Sequence, residues 1–329
     1  GSVLSFTSPK EAGVFFGNFI SNTGEALFYH ALFMGLCIAI VLRGVHGGIE
    51  RACEILMPTL VLFLFLLMIR SLTLHGAMEG VGFYLNPDFS KINVNTVLIA
   101  LGQAFFSLSL GMGCMITYGS YLSEKENLTS STVYVVMFDT LIALLVGMVI
   151  FPAVFAMGLE PTEGPSLVFS VLPAVFTSMP MGHVVSIIFF TLLAIAAITS
   201  GISLLEVVVA YFIDQRGWQR KKAVIIVGLS IFVFGIPSGL SFGAMAELKL
   251  VGMTFFDHVD NIASNYLLPL GGMLTAIFVG WVWGTNNAHV EIEKHKNKFN
   301  FPWAQCWEFL IRYITPLAVG IVFLAKVLP

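Results

Sequence analysis

The sequence predicts an all-α polytopic membrane protein with about eight transmembrane helices. Three observations predict it. Charged residues make up only 11% of the chain and hydrophobic residues 57%, where a soluble domain carries roughly a quarter charged. The missing charges are replaced by runs of Phe, Leu, Ile, Val and Met, several of them at or beyond the roughly 18 residues that cross a bilayer as a helix. Lys and Arg then collect in alternate loops, as they do in a chain threaded through a membrane.

In chain order the spans read as residues 25–42, 52–74, 95–121, 133–157, 184–213, 223–236, 252–283 and 305–327. The run 223–236 stops at Pro237-Ser-Gly and is expected to continue a little into it. Cations mark the loop after span one (Arg43, Arg51), after span three (Lys125), after span five (Arg216, Arg220, Lys221, Lys222) and after span seven (Lys294, Lys296, Lys298). The positive-inside rule places these loops in the cytoplasm. An even number of spans then puts both chain ends outside. With no initiator Met before Gly1-Ser-Val-Leu, the reading is that an odd number of spans precedes this sequence. The long outer segment 158–183 has no Lys or Arg. It reads as two short helices around Leu172-Pro173, an ordered hairpin lid.

Other classes are excluded by composition. The net charge of −3, without a basic block, argues against nucleic acid. The four cysteines (Cys37, Cys53, Cys114, Cys306) lack metal-ligand spacing and read as free thiols. No Ser/His/Asp or metal-ligand constellation suggests an enzyme.

Polar residues inside the spans carry the functional signal, because an ionised side chain at a helix centre costs about 2.5–3.5 kcal/mol on insertion scales. Asp139 lies in span four, with Ala143 and Gly147 at i+4 and i+8. It is either a carboxylate eased by the helix N-terminus or a hard oxygen ligand for a small cation. In span five, Ala196, Thr199, Ser200 and Ser203 share one face. Such a face serves close helix packing, or a neutral oxygen site made by the Ala196 carbonyl and the Thr199 and Ser200 hydroxyls. Asp257 and Asp260 open span seven near the outer surface, either as a solvated helix start or as an outer gate. Asp214 ends span five, and Glu206 lies two turns deeper, where it would line an inner pathway.

Span three is unusual. Gly111 and Gly113 each weaken a helix by roughly 1 kcal/mol relative to Ala, and Ser107 and Ser109 offer the backbone other partners. A small-residue contact with a neighbouring helix would use the same residues. The run 95–121 is, however, too long for an untilted span, which favours a helix broken at 107–113. Irregular backbone survives at that depth only when buried in protein or lining a cavity. Transporters bind their substrates at such breaks.

Four stretches together resemble the neurotransmitter:sodium symporters, in particular the bacterial sodium-dependent amino-acid transporters. They are Arg43-Gly-x-x-x-Gly-Ile-Glu-Arg51 with Met57-Pro-Thr; Gly102-Gln-x-Phe-Phe-Ser-Leu-Ser-Leu-Gly-x-Gly113 with Thr117-Tyr-x-Ser-Tyr121; Leu172-Pro-x-x-Phe176; and Ala196-x-x-Thr-Ser200. The resemblance implies a five-plus-five inverted-repeat transporter fold, here a single transmembrane domain matching family helices four to eleven and lacking the first three. It implies two sodium sites: Ser107 and Asp139 in the first, the Ala196 carbonyl, Thr199 and Ser200 in the second. It implies a substrate pocket at Phe106, Ser107, Ser109, Met112, Ser200 and Leu204, where the carbonyls of Phe106, Ser107 and Ser109 receive the substrate ammonium. Asp260 matches an outer gate, and Tyr121 and Asp214 an inner one.

Two departures from the family pattern are informative. Asp139 stands where many members have Asn, and Ala143 stands where chloride-dependent members have a hydroxyl. A carboxylate in the cation site makes chloride unnecessary. Met112 replaces a common Phe, and its flexible thioether suits bulky partners. The expectation is chloride-independent sodium symport of a hydrophobic or aromatic L-amino acid across the plasma (inner) membrane. The partners are the amino acid and the lipid bilayer. The alternatives are a receptor-like or channel-like relative that binds solute without cycling, and an inactive fragment.

Overall fold

The computed structural model describes residues 8–123, 125–159, 167–177, 181–294 and 304–327. Its helices are α1 (Pro9–Ser21), α2 (Thr23–Leu42), α3 (Val45–Leu72), α4 (Ala77–Leu85), α5 (Val94–Ser107), α6 (Cys114–Tyr121), α7 (Leu128–Ala156), α8 (Leu167–Thr177), α9 (Gly182–Arg216), α10 (Arg220–Leu240), α11 (Phe255–Glu293) and α12 (Gln305–Ala325). Among the described residues, seven helices are long and apolar enough to cross a membrane: α2, α3, α7, α9, α10, α11 and α12. The remaining expected span, 95–121, is the pair α5 and α6, two half-helices with a break between them. Residues 160–166 and 178–180 of the expected hairpin lie outside the described residues, as do Lys296 and Lys298.

Span six continues past 236 as expected, to Leu240, with Pro237 accommodated inside α10. Another boundary differs, for a local cause. Span seven does not end at 283. A π-helical turn, Phe278–Gly284, passes into a polar segment that continues the helix. Two short helices were not expected. Ser8 starts α1 by accepting the Glu11 N–H at 3.3 Å, with Pro9 in the first turn. Asn22 ends α1 and caps α2, accepting the Gly24 N–H at 3.0 Å. The Leu172-Pro173 point is no gap between two helices: Leu167–Val171 is a π-helical turn that runs straight into Leu172–Thr177.

The chain packs as two units, residues 1–87 with 142–256 and residues 88–141 with 257–329. In lipid, apolar burial gives helices little reason to associate, so close packing through small residues and interhelical hydrogen bonds carries the load. The first unit shows this. Leu64 and Leu67 of α3, Val154 of α7, Leu172, Val175 and Phe176 of α8 and Phe189 of α9 form its buried core. Gly201 of α9 gives room to Phe33 and Cys37 of α2, and Gly235 of α10 to His30. On α7, a side chain at Gly147 would collide with the Tyr84 ring, which reaches over it from α4 and donates a hydrogen bond to the Ala143 carbonyl at 3.4 Å.

The first unit also holds a buried ion pair. Glu206 is fully buried, and Arg220 grips it with two hydrogen bonds of 3.0 and 2.6 Å while its Nε donates to the Val41 carbonyl at 3.0 Å. This corrects the expectation for Glu206. The carboxylate does not line a pathway but ties α9 to the start of α10, with α2 joined through Val41. A bidentate guanidinium satisfies most of what desolvation takes from a carboxylate.

In the second unit the break rests on α11. A Cβ on Gly111 would lie 2.3 Å from the Leu268 carbonyl oxygen and 2.8 Å from the Gly272 N. In return, one on Gly271 would lie 2.5 Å from the Gly111 carbonyl oxygen. The two backbones touch because neither carries a side chain there. Further along α11 and α12, Arg312 donates to the Gly280 carbonyl at 3.1 Å and to Thr285 Oγ1 at 2.8 Å, and pairs with Glu308 at 2.9 Å. The Trp281 indole N–H answers by donating to the Arg312 carbonyl at 3.1 Å.

Two outcomes test this packing. Arg220→Ala leaves Glu206 buried without its cation and is expected to cost about 3–5 kcal/mol, read as a lower melting temperature of the detergent-solubilised protein; an unchanged melt refutes the clamp. Gly111→Ala pushes a methyl group into the backbone of α11 and is likewise expected to lower that melting temperature; an unchanged melt refutes the backbone contact.

Candidate functional site

The break follows from its residues. Asn93 starts α5 with a reciprocal cap, accepting from the Thr96 N–H while Thr96 accepts from the Asn93 N–H. The helix then runs to Ser107. Leu108 has left helical geometry, and Ser109, Gly111 and Gly113 have φ of 54, 80 and 84°. Such left-handed backbone is routine for glycine and unusual for serine. The turn is closed by Ser109 N–H donating to the Phe106 carbonyl at 3.0 Å and Leu110 N–H donating to the Phe105 carbonyl at 2.9 Å. The carbonyls of Ser107 and Ser109 accept no hydrogen bond from the described residues. The second half-helix, α6, starts at Gly113 with no side-chain cap.

Beside these free carbonyls, Ser107 Oγ donates to Asp139 Oδ1 at 2.6 Å. That length is the one expected of a hydroxyl on a charged acceptor. The structure thus brings together two residues 32 positions apart and gives Asp139, partly buried on α7, a donor from the break itself. A carboxylate has about four lone-pair sites. Here one donor among the described residues is in place, so oxygen valence remains for a cation. Phe106 and Met112 belong to the same break, Phe106 more than half exposed.

The α9 residues form a second oxygen group in the other unit. Thr199 Oγ1 donates to the Ala196 carbonyl at 2.9 Å, and Ser203 Oγ donates to the Thr199 carbonyl at 2.9 Å. Helix hydroxyls bond backward in this way and open the local backbone slightly. Ser200 and Leu204 are exposed on α9. This group is neutral, in contrast to the one at Asp139. Of the gate candidates, Asp260 is exposed near the start of α11 and accepts from Ser264 Oγ at 3.2 Å. Tyr121 ends α6, and Asp214 lies two residues before the end of α9.

Sequence reasoning missed the Arg312 network and the Tyr84 contact. For Arg312 a signal was present, an arginine well inside the apolar run 305–327. For Tyr84 there was none, since its partner is a backbone carbonyl in another helix.

Residues 11–329 match the family described as the sodium:neurotransmitter symporter family. A sodium-dependent transporter of Bacillus subtilis, YhdH, is 42% identical over 321 residues, covering 98% of this chain and 71% of YhdH. A sodium-dependent transporter of Haemophilus influenzae is 39% identical over 303 residues, covering 92% of this chain and 65% of that protein. The crystal structure of MhsT in complex with L-phenylalanine matches with a TM-score of 0.84 at 48% identity, covering 96% of this chain and 71% of MhsT. The chain thus spans roughly two thirds of the length of the relatives it matches. Its apolar helices, its broken span and these likenesses agree: the chain belongs to the sodium:neurotransmitter symporter family, whose members are multi-pass transporters of the plasma membrane and not enzymes.

Proposed function

We propose that this protein carries a hydrophobic or aromatic L-amino acid across the plasma membrane, driven by sodium and without chloride. The observation that carries the reading is the break at residues 107–113, where the Ser107 and Ser109 carbonyls accept no hydrogen bond from the described residues and Ser107 is bonded to Asp139. Freed carbonyls suit the ammonium of an amino acid, and the Asp139 carboxylate suits a sodium ion. MhsT, to which the chain is similar, was crystallised with L-phenylalanine, which supports the substrate class.

On this reading two sodium ions travel with the substrate. Ser107 and Asp139 hold the first. The Ala196 carbonyl with Thr199 and Ser200 holds the second. Phe106, Ser107, Ser109, Met112, Ser200 and Leu204 contact the substrate. Asp260 gates the outer side, Tyr121 and Asp214 the inner, and residues 158–183 act as the lid. Each net positive charge carried inward gains about 2.3 kcal/mol per 100 mV of membrane potential. Because Asp139 supplies the negative charge and Ala143 offers no hydroxyl, no chloride is required.

The test is uptake of radiolabelled L-phenylalanine, L-tryptophan and L-leucine by the intact protein in proteoliposomes. Transport is expected with an inward sodium gradient and unchanged when gluconate replaces chloride. Sodium-dependent binding without uptake would support a non-cycling relative instead, and a chloride requirement would remove the role given to Asp139. Asp139→Ala is expected to raise the sodium concentration for half-maximal uptake at least tenfold, equivalent to about 1.4 kcal/mol. Met112→Phe stiffens the pocket and is expected to lower tryptophan uptake several-fold relative to leucine, measured as competition between the two.

A further inference from the structure

The turn between α9 and α10 concentrates cations that the fold does not use. Arg216 ends α9, and Arg220, Lys221 and Lys222 open α10, all within seven residues. Arg220 is committed to Glu206 and the Val41 carbonyl, and Lys222 lies over the Trp218 ring. That bond brings the end of α2 to the same turn, and Arg43, two residues past Val41, is exposed. Arg43, Arg216, Lys221 and Lys222 are all exposed and none has an ion pair among the described residues. The one carboxylate in the turn is Asp214. Arg43 and Arg216 sit at helix C-termini, where the helix dipole favours them, but it does not account for Lys221 and Lys222, since cations in a first turn oppose it.

The turn is also ordered. Gly217, in left-handed conformation, closes α9 with two backbone hydrogen bonds, from its own N–H to the Ile213 carbonyl and from the Trp218 N–H to the Phe212 carbonyl. Trp218 stacks on Phe212 with ring centroids 4.6 Å apart, and the Lys222 ammonium sits 4.8 Å above the Trp218 ring. A tryptophan with an apolar body and a wet edge is a membrane-interface residue. Such a residue suits an interfacial depth for these charges, at the end of two apolar helices that the positive-inside rule assigns to the cytoplasm.

We propose that this turn is a docking surface for the headgroup of an anionic phospholipid of the inner leaflet. Arg43, Arg216, Lys221 and Lys222 face its phosphate and Trp218 lies at the boundary with the acyl chains. Charge complementarity selects the occupant: an array of cations with no carboxylate partner among the described residues, held at the interface of a leaflet that contains anionic lipid.

Native mass spectrometry of the intact protein, released from nanodiscs of phosphatidylcholine with one third phosphatidylglycerol, tests this. Wild-type protein is expected to retain phosphatidylglycerol several-fold over its share of the bilayer. The triple change Arg216→Gln, Lys221→Gln, Lys222→Gln is expected to lose most of that preference, and Lys222→Gln alone part of it. Lys91→Gln, on an exposed cation in another loop, is expected to leave it unchanged. Folding of each variant is checked by its melting temperature, and Lys222→Gln carries the test if the triple variant does not fold. Retention in proportion to composition, or a preference that survives the substitutions, overturns the proposal. So does displacement of the lipid by an equal concentration of inorganic phosphate, which would make the turn a free-anion site.

Discussion

A membrane-spanning segment must satisfy its own backbone, because the bilayer core offers no water to do so. The stretch from Ser107 to Gly113 does not. It leaves carbonyls, those of Ser107 and Ser109 among them, without a donor from the described residues and sets three residues in left-handed geometry. An unsatisfied amide group costs on the order of 1–3 kcal/mol by mutational measures, so such a stretch persists only where its surroundings determine it. The surroundings here are backbone. Gly111 lies against Leu268 and Gly272, and Gly271 against Gly111. The glycines that break the helix are the same ones that let α11 come close enough to hold the break in place. On the proposed reading, ligands complete what the chain leaves open, so site and strain have a single origin.

The ionised groups inside the spans divide along the same line. Glu206 and Arg220 close on one another with two hydrogen bonds, and Arg312 is met by a carbonyl, a hydroxyl and a carboxylate. These are finished networks, and a finished network fixes geometry. Asp139 differs, with one hydroxyl donor at 2.6 Å and no cation beside it among the described residues. Comparison within one molecule is the strongest reason to treat Asp139 as a ligand. Where the fold needs a charge for structure, it surrounds it.

Much of the fold was legible because hydropathy over about 20 residues is a coarse, redundant signal. The break was legible for a different reason: Ser107, Ser109, Gly111 and Gly113 sit in a run too long for one helix. The short helices α1 and α4 fell below the length at which the membrane signal registers. The π-helical turns in α3, α8, α11 and α12 leave no mark in composition, since one extra residue per turn changes which face a side chain takes and not what the side chain is. Glu206 was misplaced because spacing shows depth in a helix and nothing of the partner. Its partner, Arg220, lies across the turn in the next helix, and counted in the sequence as a loop cation. The pairing of Ser107 with Asp139 came from family resemblance for the same reason, being a contact between distant segments.

The two oxygen groups differ in charge, and that difference has a consequence for coupling. On the proposed reading, a sodium ion beside Asp139 would form a locally neutral pair, whereas one held by the Ala196 carbonyl and the hydroxyls of Thr199 and Ser200 would keep its full charge. The neutral group also has an internal alternative: Thr199 already donates to the Ala196 carbonyl, so the hydroxyl need only turn to present its lone pairs. The Thr199 hydroxyl and the Ala196 carbonyl thus satisfy one another. A carboxylate with a single donor has no comparable refuge. On the proposed reading, the group at Asp139 therefore carries the larger penalty without a cation and the α9 group the smaller, so the two ions couple to transport unequally.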